Sequence, residues 1–80
     1  MSTSAVKPDI QAVDVACSDT HLYATLADGR VIAIPLSLHP RLRAGSPTDR
    51  ATWHLIGGGS GIHWPTLDED LSVEGLLEGR

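Results

Sequence analysis

Four histidines, His21, His39, His54 and His63, and an acidic triplet, Asp68, Glu69 and Asp70, are the side chains of this 80-residue sequence that could hold a divalent metal. Their spacing does not build a site. No HxxxH or HExxH pair sets two imidazoles on one helical face, and a single cysteine, Cys17, offers neither a zinc cage nor a CxxC redox pair. Ser37, Ser60 and Cys17 are the available nucleophiles, and none sits in a GxSxG elbow between a strand and a helix. The run Gly57-Gly58-Gly59-Ser60-Gly61 resembles a phosphate cradle only in its glycines. A P-loop continues with Lys-Ser/Thr, whereas Ile62-His63 follows here, and the dinucleotide-binding version needs a third glycine and a helix that this stretch lacks. These residues therefore predict no metal, no cofactor and no catalytic constellation.

Charge is the remaining chemistry. Arg41, Arg43 and Arg50 form the one basic concentration, and Asp68, Glu69 and Asp70 the acidic one. Across the chain six Lys plus Arg stand against ten Asp plus Glu, a net charge of -4, the wrong sign for a protein that mainly grips phosphates. The excess is local: residues 51 to 80 hold Arg80 alone against five acids. Separate patches of opposite sign fit recognition of another protein better than DNA. Aromatic residues make up 4% and Phe is absent, so stacking surfaces for single strands are thin.

Those residues must be carried by a small frame. At this length one core forms and a deep enclosed active site does not. Residues 1 to 9 read as a flexible N-terminal tail and residues 10 to 80 as a single α+β domain. Val13, Val15 and Cys17 alternate with Asp14 and Ala16, which predicts a half-buried strand with Cys17 as an unreactive core thiol. In the next strand Leu22, Ala24 and Leu26 face one way and His21, Tyr23 and Thr25 the other. Asp28-Gly29 predicts a two-residue hairpin pairing residues 22 to 27 with 30 to 34, with Gly29 at positive φ. Pro35 ends the third strand.

Residues 36 to 44 predict a short helix, with Ser37 available as a cap, Pro40 limiting its length and Gly45 ending it. Ser46 caps a second helix from Pro47 to about His54, with Trp53 as its apolar anchor. Leu55-Ile56 and Ile62-His63-Trp64 read as brief extended segments joined by Gly57, Gly58 and Gly59. The acidic triplet reads as a solvated loop. Ser72 caps a last helix in which Val73, Leu76 and Leu77 share a face, and Gly79 ends it in the left-handed conformation. Trp53, Leu55, Ile56, Ile62 and Trp64 are expected to close the core. No run approaches the roughly 20 apolar residues of a membrane span, and no signal peptide is evident, so no membrane partner and a cytoplasmic location are expected.

The order of Pro35-Leu36-Ser37, Arg41-Leu42, Pro47, Arg50, Trp53, Leu55-Ile56-Gly57-Gly58-Gly59, Gly61-Ile62-His63-Trp64-Pro65, Leu67-Asp68-Glu69-Asp70 and Ser72-Val73-Glu74-Gly75-Leu76-Leu77 resembles the bacterial domain-of-unknown-function family two-four-four-two over about residues 10 to 80. The resemblance implies an α+β fold, a small antiparallel sheet with short helices, and the residues read above supply three to five short strands and two or three short helices. It also implies a place in small toxin-antitoxin-like operons, beside another short protein. Longer members append a helix-turn-helix, and none is expected within residues 1 to 80.

Together these readings predict a non-catalytic protein-interaction module, an antitoxin-like or accessory member of a two-protein pair, using Arg41, Arg43, Arg50, Asp68, Glu69 and Asp70 toward a small protein or a second copy. A small DNA-binding regulator using the three arginines is the alternative. A minor hydrolase or metal-binding protein is the third.

Overall fold

The computed structural model describes residues 10–79 and has two three-stranded antiparallel sheets and three short helices, a small α+β fold. The expected tail of residues 1 to 9 and the basic terminus Arg80 lie outside the described residues. The first sheet holds β1 (Ala12–Cys17), β2 (His21–Leu26) and β3 (Val31–Pro35), in that order. Alternation in β2 turns Leu22, Ala24 and Leu26 inward, all buried. In β1 the alternation breaks. The register shifts between Ala12 and Asp14, so Ala12 and Val15 are buried while Val13, expected inside, is 56% exposed.

The β2–β3 hairpin forms, with residues 21–25 pairing 31–35. Its loop has three residues rather than the two expected. Leu26 N donates to Arg30 O at 2.7 Å and Gly29 N donates to Leu26 O at 2.9 Å, so Ala27, Asp28 and Gly29 span the turn. Only Gly29 takes positive φ, at 93°. The Asp28 carboxylate instead accepts from Arg30 N and Nε, holding the turn from its side chain. No atom lies within 4 Å of the position a Gly29 Cβ would take, so a side chain there costs backbone strain and nothing else. Gly29→Val is expected to lose more than about 1 kcal/mol in urea unfolding, and Gly29→Asn less, because asparagine tolerates positive φ.

The single helix expected over residues 36 to 44 is two pieces, a 3-10 turn at Leu36–Leu38 and α1 (Pro40–Ala44). Pro40 cannot donate an N–H and keeps His39 out of the helical region, at φ -133 and ψ 84, between them. Ser37 caps neither, lying within the 3-10 turn, and Gly45 leaves α1 at φ -75 without the left-handed turn. In α2 (Pro47–Ala51) Ser46 Oγ accepts from Asp49 N at 3.0 Å while the Asp49 carboxylate accepts from Ser46 N at 3.1 Å, a reciprocal capping box. This helix stops at Ala51, short of His54. Thr52 closes it, its hydroxyl donating to Thr48 O at 2.8 Å, and Trp53 lies in the following connection, half-buried against the core.

The second sheet is β4 (His54–Ile56), β5 (Gly61–Trp64) and β6 (Glu69–Ser72), with β5 central. Gly57, Gly58 and Gly59 join β4 to β5 in a 3-10 turn, all three at positive φ. β6 departs from the expected acidic loop. Only Asp68 belongs to the turn, at φ 51, while Glu69 pairs with Trp64 and Asp70 with His63. An edge strand accepts such charges because one of its borders faces solvent. Ser72 then caps α3 (Val73–Leu77), accepting from Gly75 N at 2.9 Å. Val73 and Leu76 are buried, Leu77 is exposed against expectation, and Gly79 has φ 81 as expected.

Both sheets contribute to the core. Val15 and Leu22 from the first pack in one cluster with Ile62 and Trp64 from β5 and with Leu36, Leu42 and Leu76. Trp53 and Leu55 flank it, but Ile56, expected inside, is exposed because neighbouring residues of β4 alternate faces. Among the described residues no helix is long and apolar enough to cross a membrane.

Two aspartates, Asp28 exposed and Asp49 half-buried, make the local turns acid-sensitive. The Asp28 carboxyl is held below the usual carboxylate range by the Arg30 backbone N–H and guanidinium, and that of Asp49 by Ser46. A depressed carboxylate stabilises the fold above its unfolded pKa, and that contribution is lost as pH falls through the lower folded value. The melting temperature of the wild type is expected to fall on acidification below about pH 4, with Asp28→Asn and Asp49→Asn each flattening the drop.

Candidate interaction surfaces

The arginine trio does not form one patch. Arg50, at the end of α2, is 8% exposed, and its Nη1 donates to three carbonyls: Leu42 O at 3.2 Å, Arg43 O at 3.4 Å and Gly45 O at 2.5 Å. These belong to the C-terminal end of α1, where carbonyls lack partners within the helix and a cation is favoured. Arg50 thus replaces the glycine cap that Gly45 does not make, and it is withdrawn from the surface role expected of it. Its own carbonyl accepts from Trp64 Nε1 at 3.1 Å, tying α2 to β5.

Arg41 is exposed, but it reaches the acidic turn of its own chain. Its Nη1 donates to Asp68 O and stands 3.9 Å from the Asp68 carboxylate. The basic and acidic groups, expected as separate recognition patches, therefore meet at this point. Such an exposed pair adds little to stability. Arg43 is exposed and has no acidic partner among the described residues. Asp70 is bonded to His63, whose Nδ1 donates to its carboxylate across β5 and β6, and Glu69 is half-buried.

The four histidines do not converge on one point. His21 bonds Thr20 and stacks on Tyr23 at 6.0 Å between ring centroids, His54 pairs with His63 across β4 and β5, and His39 is buried with no partner for Nε2 among the described residues. Among those residues no three His, Cys, Asp or Glu side chains gather as a metal site would require. Gly57, Gly58 and Gly59 serve a tight turn, and Ser60 Oγ donates to Gly57 O at 3.0 Å.

Two surface features escaped the sequence reading. The first is the outer face and free edge of the first sheet. Tyr23, Val31, Ala33 and Pro35 turn outward there, with Val31 58% exposed, and β3 carries no ionisable side chain. Leu26–Arg30 and Thr20–Leu36 hydrogen bonds bracket the pairing, so Ile32 and Ile34 point their backbone groups at β2 while Val31 and Ala33 point theirs away. No hydrogen bond from another element reaches that edge among the described residues. The signal was present in the charge-free stretch Val31-Ile32-Ala33-Ile34, which natural edge strands usually interrupt with a charge.

The second is a cleft of about 300 Å³ between β1 and α2, lined by Cys17, Asp19, Pro47, Arg50 and Trp53 among others. Burial pushes the Cys17 thiol up from its ordinary pKa, and the nearby Arg50 guanidinium opposes the shift.

The family described as "Protein of unknown function (DUF2442)" matches residues 12–80, most of the chain. The chain belongs to this family. It is similar to a crystal structure of a protein of unknown function from Rhodospirillum rubrum ATCC 11170, with 30% identity and a TM-score of 0.79, over 90% of this chain and 89% of that one. No curated protein matches it. The family and the related structure fix the fold, and their descriptions carry no activity.

Proposed function

We propose that this chain is a non-catalytic protein-recognition module, the accessory or antitoxin-like member of a bacterial two-protein pair. The observation that carries the reading is the uncharged, unpaired border of β3 beside the outward Tyr23, Val31 and Ala33. An added strand would gain main-chain hydrogen bonds from Val31 and Ala33 and alternate side-chain contacts on one face. The place beside a second short protein comes from the family resemblance. The DNA reading loses support, since Arg50 is buried and Arg41 is engaged by Asp68, and neutralising so few phosphates gives weak, salt-sensitive binding.

Capture of the tagged chain from its host, with light scattering on the purified protein, tests the proposal. A small protein or a second copy is expected to bind the wild type and to be lost in Val31→Lys and Ala33→Lys, which stay folded because both positions face solvent. A promoter fragment shifted tightly at physiological salt, with no protein captured, would overturn it.

A further inference from the structure

The cleft between β1 and α2 holds a buried cation whose charge is only partly answered. Arg50 is 8% exposed, and its Nη1 is bonded to three neutral carbonyls. On Nη2 the acid within ion-pair distance among the described residues is Asp19, 4.0 Å away, with a side chain that is 97% exposed, while Asp49 on the same helix feels the Arg50 charge without pairing with it. A buried charge normally has a close counter-ion, because carbonyl dipoles replace only part of the lost hydration. Asp19, solvated and at the limit of ion-pair distance, is a weak one. The guanidinium has its planar donor fork in place, and its Nη1 is anchored, so little rotamer freedom is lost when an oxyanion binds.

The walls narrow the class of ligand. Val15, Pro47, Ala51 and Trp53 give the cleft apolar sides, and about 300 Å³ is at the lower end of small-molecule sites. Such walls suit a short hydrocarbon better than a sugar or a multiply charged phosphate. We propose that this cleft binds a carboxylate with a small apolar body, the carboxylate on Arg50 Nη2 and the body against Trp53 and Pro47. This site is separate from the β3 border and does not depend on the function proposed for it. A free short-chain acid and the C-terminal carboxylate of a peptide share this chemistry.

Titration of the 15N-labelled protein with hexanoate, followed by amide and indole resonances, tests the assignment. The Trp64 indole is tied to Arg50 O and buried, so the two tryptophan signals separate by solvent exchange. Hexanoate is expected to move the Trp53 indole and the Cys17 and Ala51 amides saturably, while 1-hexanol at equal concentration does not. Asp19→Asn removes the competing carboxylate and should tighten hexanoate binding by about two- to fivefold. Ala51→Asp, on an exposed position, should abolish it, and this variant keeps the test valid if Arg50→Lys fails to fold.

A short apolar peptide with a free C-terminus, compared with its amidated form, distinguishes the sources. Tighter binding of the free-terminus peptide than of hexanoate assigns the cleft to a chain end, and the reverse assigns it to a free acid. Equal shifts with hexanol, no saturation with any carboxylate, or unchanged affinity in Asp19→Asn would overturn the proposal.

Discussion

Trp64→Ala is expected to remove about 3 to 5 kcal/mol, which approaches the whole stability of a domain this small. Trp64 is 0% exposed and sits on the central strand of the second sheet, in one cluster with Val15 and Leu22 of the first. Truncation opens a cavity where the two sheets meet and also leaves the Arg50 carbonyl without the indole N–H that it accepts. Trp64→Phe keeps most of the volume but loses that bond, so it should fall between wild type and alanine. Trp53→Ala should cost clearly less, because Trp53 is half-buried and belongs to the rim of the cluster. Guanidinium unfolding followed by circular dichroism at the backbone bands, free of changes in indole fluorescence, checks the order. Equal losses at the two tryptophans would show that the core does not centre on β5.

The legible parts of this fold are those where one local rule acts alone. Ser46-Pro47-Thr48-Asp49 announces a helix start, and the reciprocal bonds of Ser46 and Asp49 are the structure it specifies. The alternation of Leu22, Ala24 and Leu26 needs no distant partner to be read as a buried face. Where a tertiary partner decides, the sequence is silent. β6 is hidden by Glu69 and Asp70, which are poor strand formers, and it exists because β5 supplies the pairing groups. The second helix ends before His54 because that residue is recruited to pair with His63.

The candidate site divides in the same way. Residue type marks Arg41, Arg43 and Arg50 as a cluster, but type cannot say which guanidinium faces inward. That follows from the end of α1, whose carbonyls lie within reach of Arg50 alone among the three. The free edge of β3 is the opposite case: its absence of charge is visible in the sequence, yet its being a border is a property of the sheet order. A cleft walled by β1 and α2 brings together residues more than thirty positions apart, and no local pattern links Asp19 to Arg50.

Gly59→Ala is the second substitution expected to be severe, and its neighbours supply the controls. Gly59 has φ 103, and a Cβ placed there would overlap the backbone oxygen of Ala12 and lie 3.1 Å from Gln11 Cβ. The first contact is with the backbone of a paired strand, which cannot rotate aside, so the turn or β1 must shift. Strain at such a φ is of the order of 1 to 3 kcal/mol before the clash is counted, so a total above about 3 kcal/mol is expected. At Gly58, φ is 69 and the nearest atom is the flexible end of Gln11 at 3.7 Å, which leaves a strain cost alone, about 1 kcal/mol. Ala12 is itself buried beside Leu26 and Val73, so displacing its backbone loosens the contact between the first sheet and α3. Urea unfolding of the two alanine variants should therefore separate them by about 2 kcal/mol, the difference measuring how closely the glycine turn is pressed against β1. Similar losses at Gly58 and Gly59 would mean that the turn is free of β1 and that the glycines serve its conformation only.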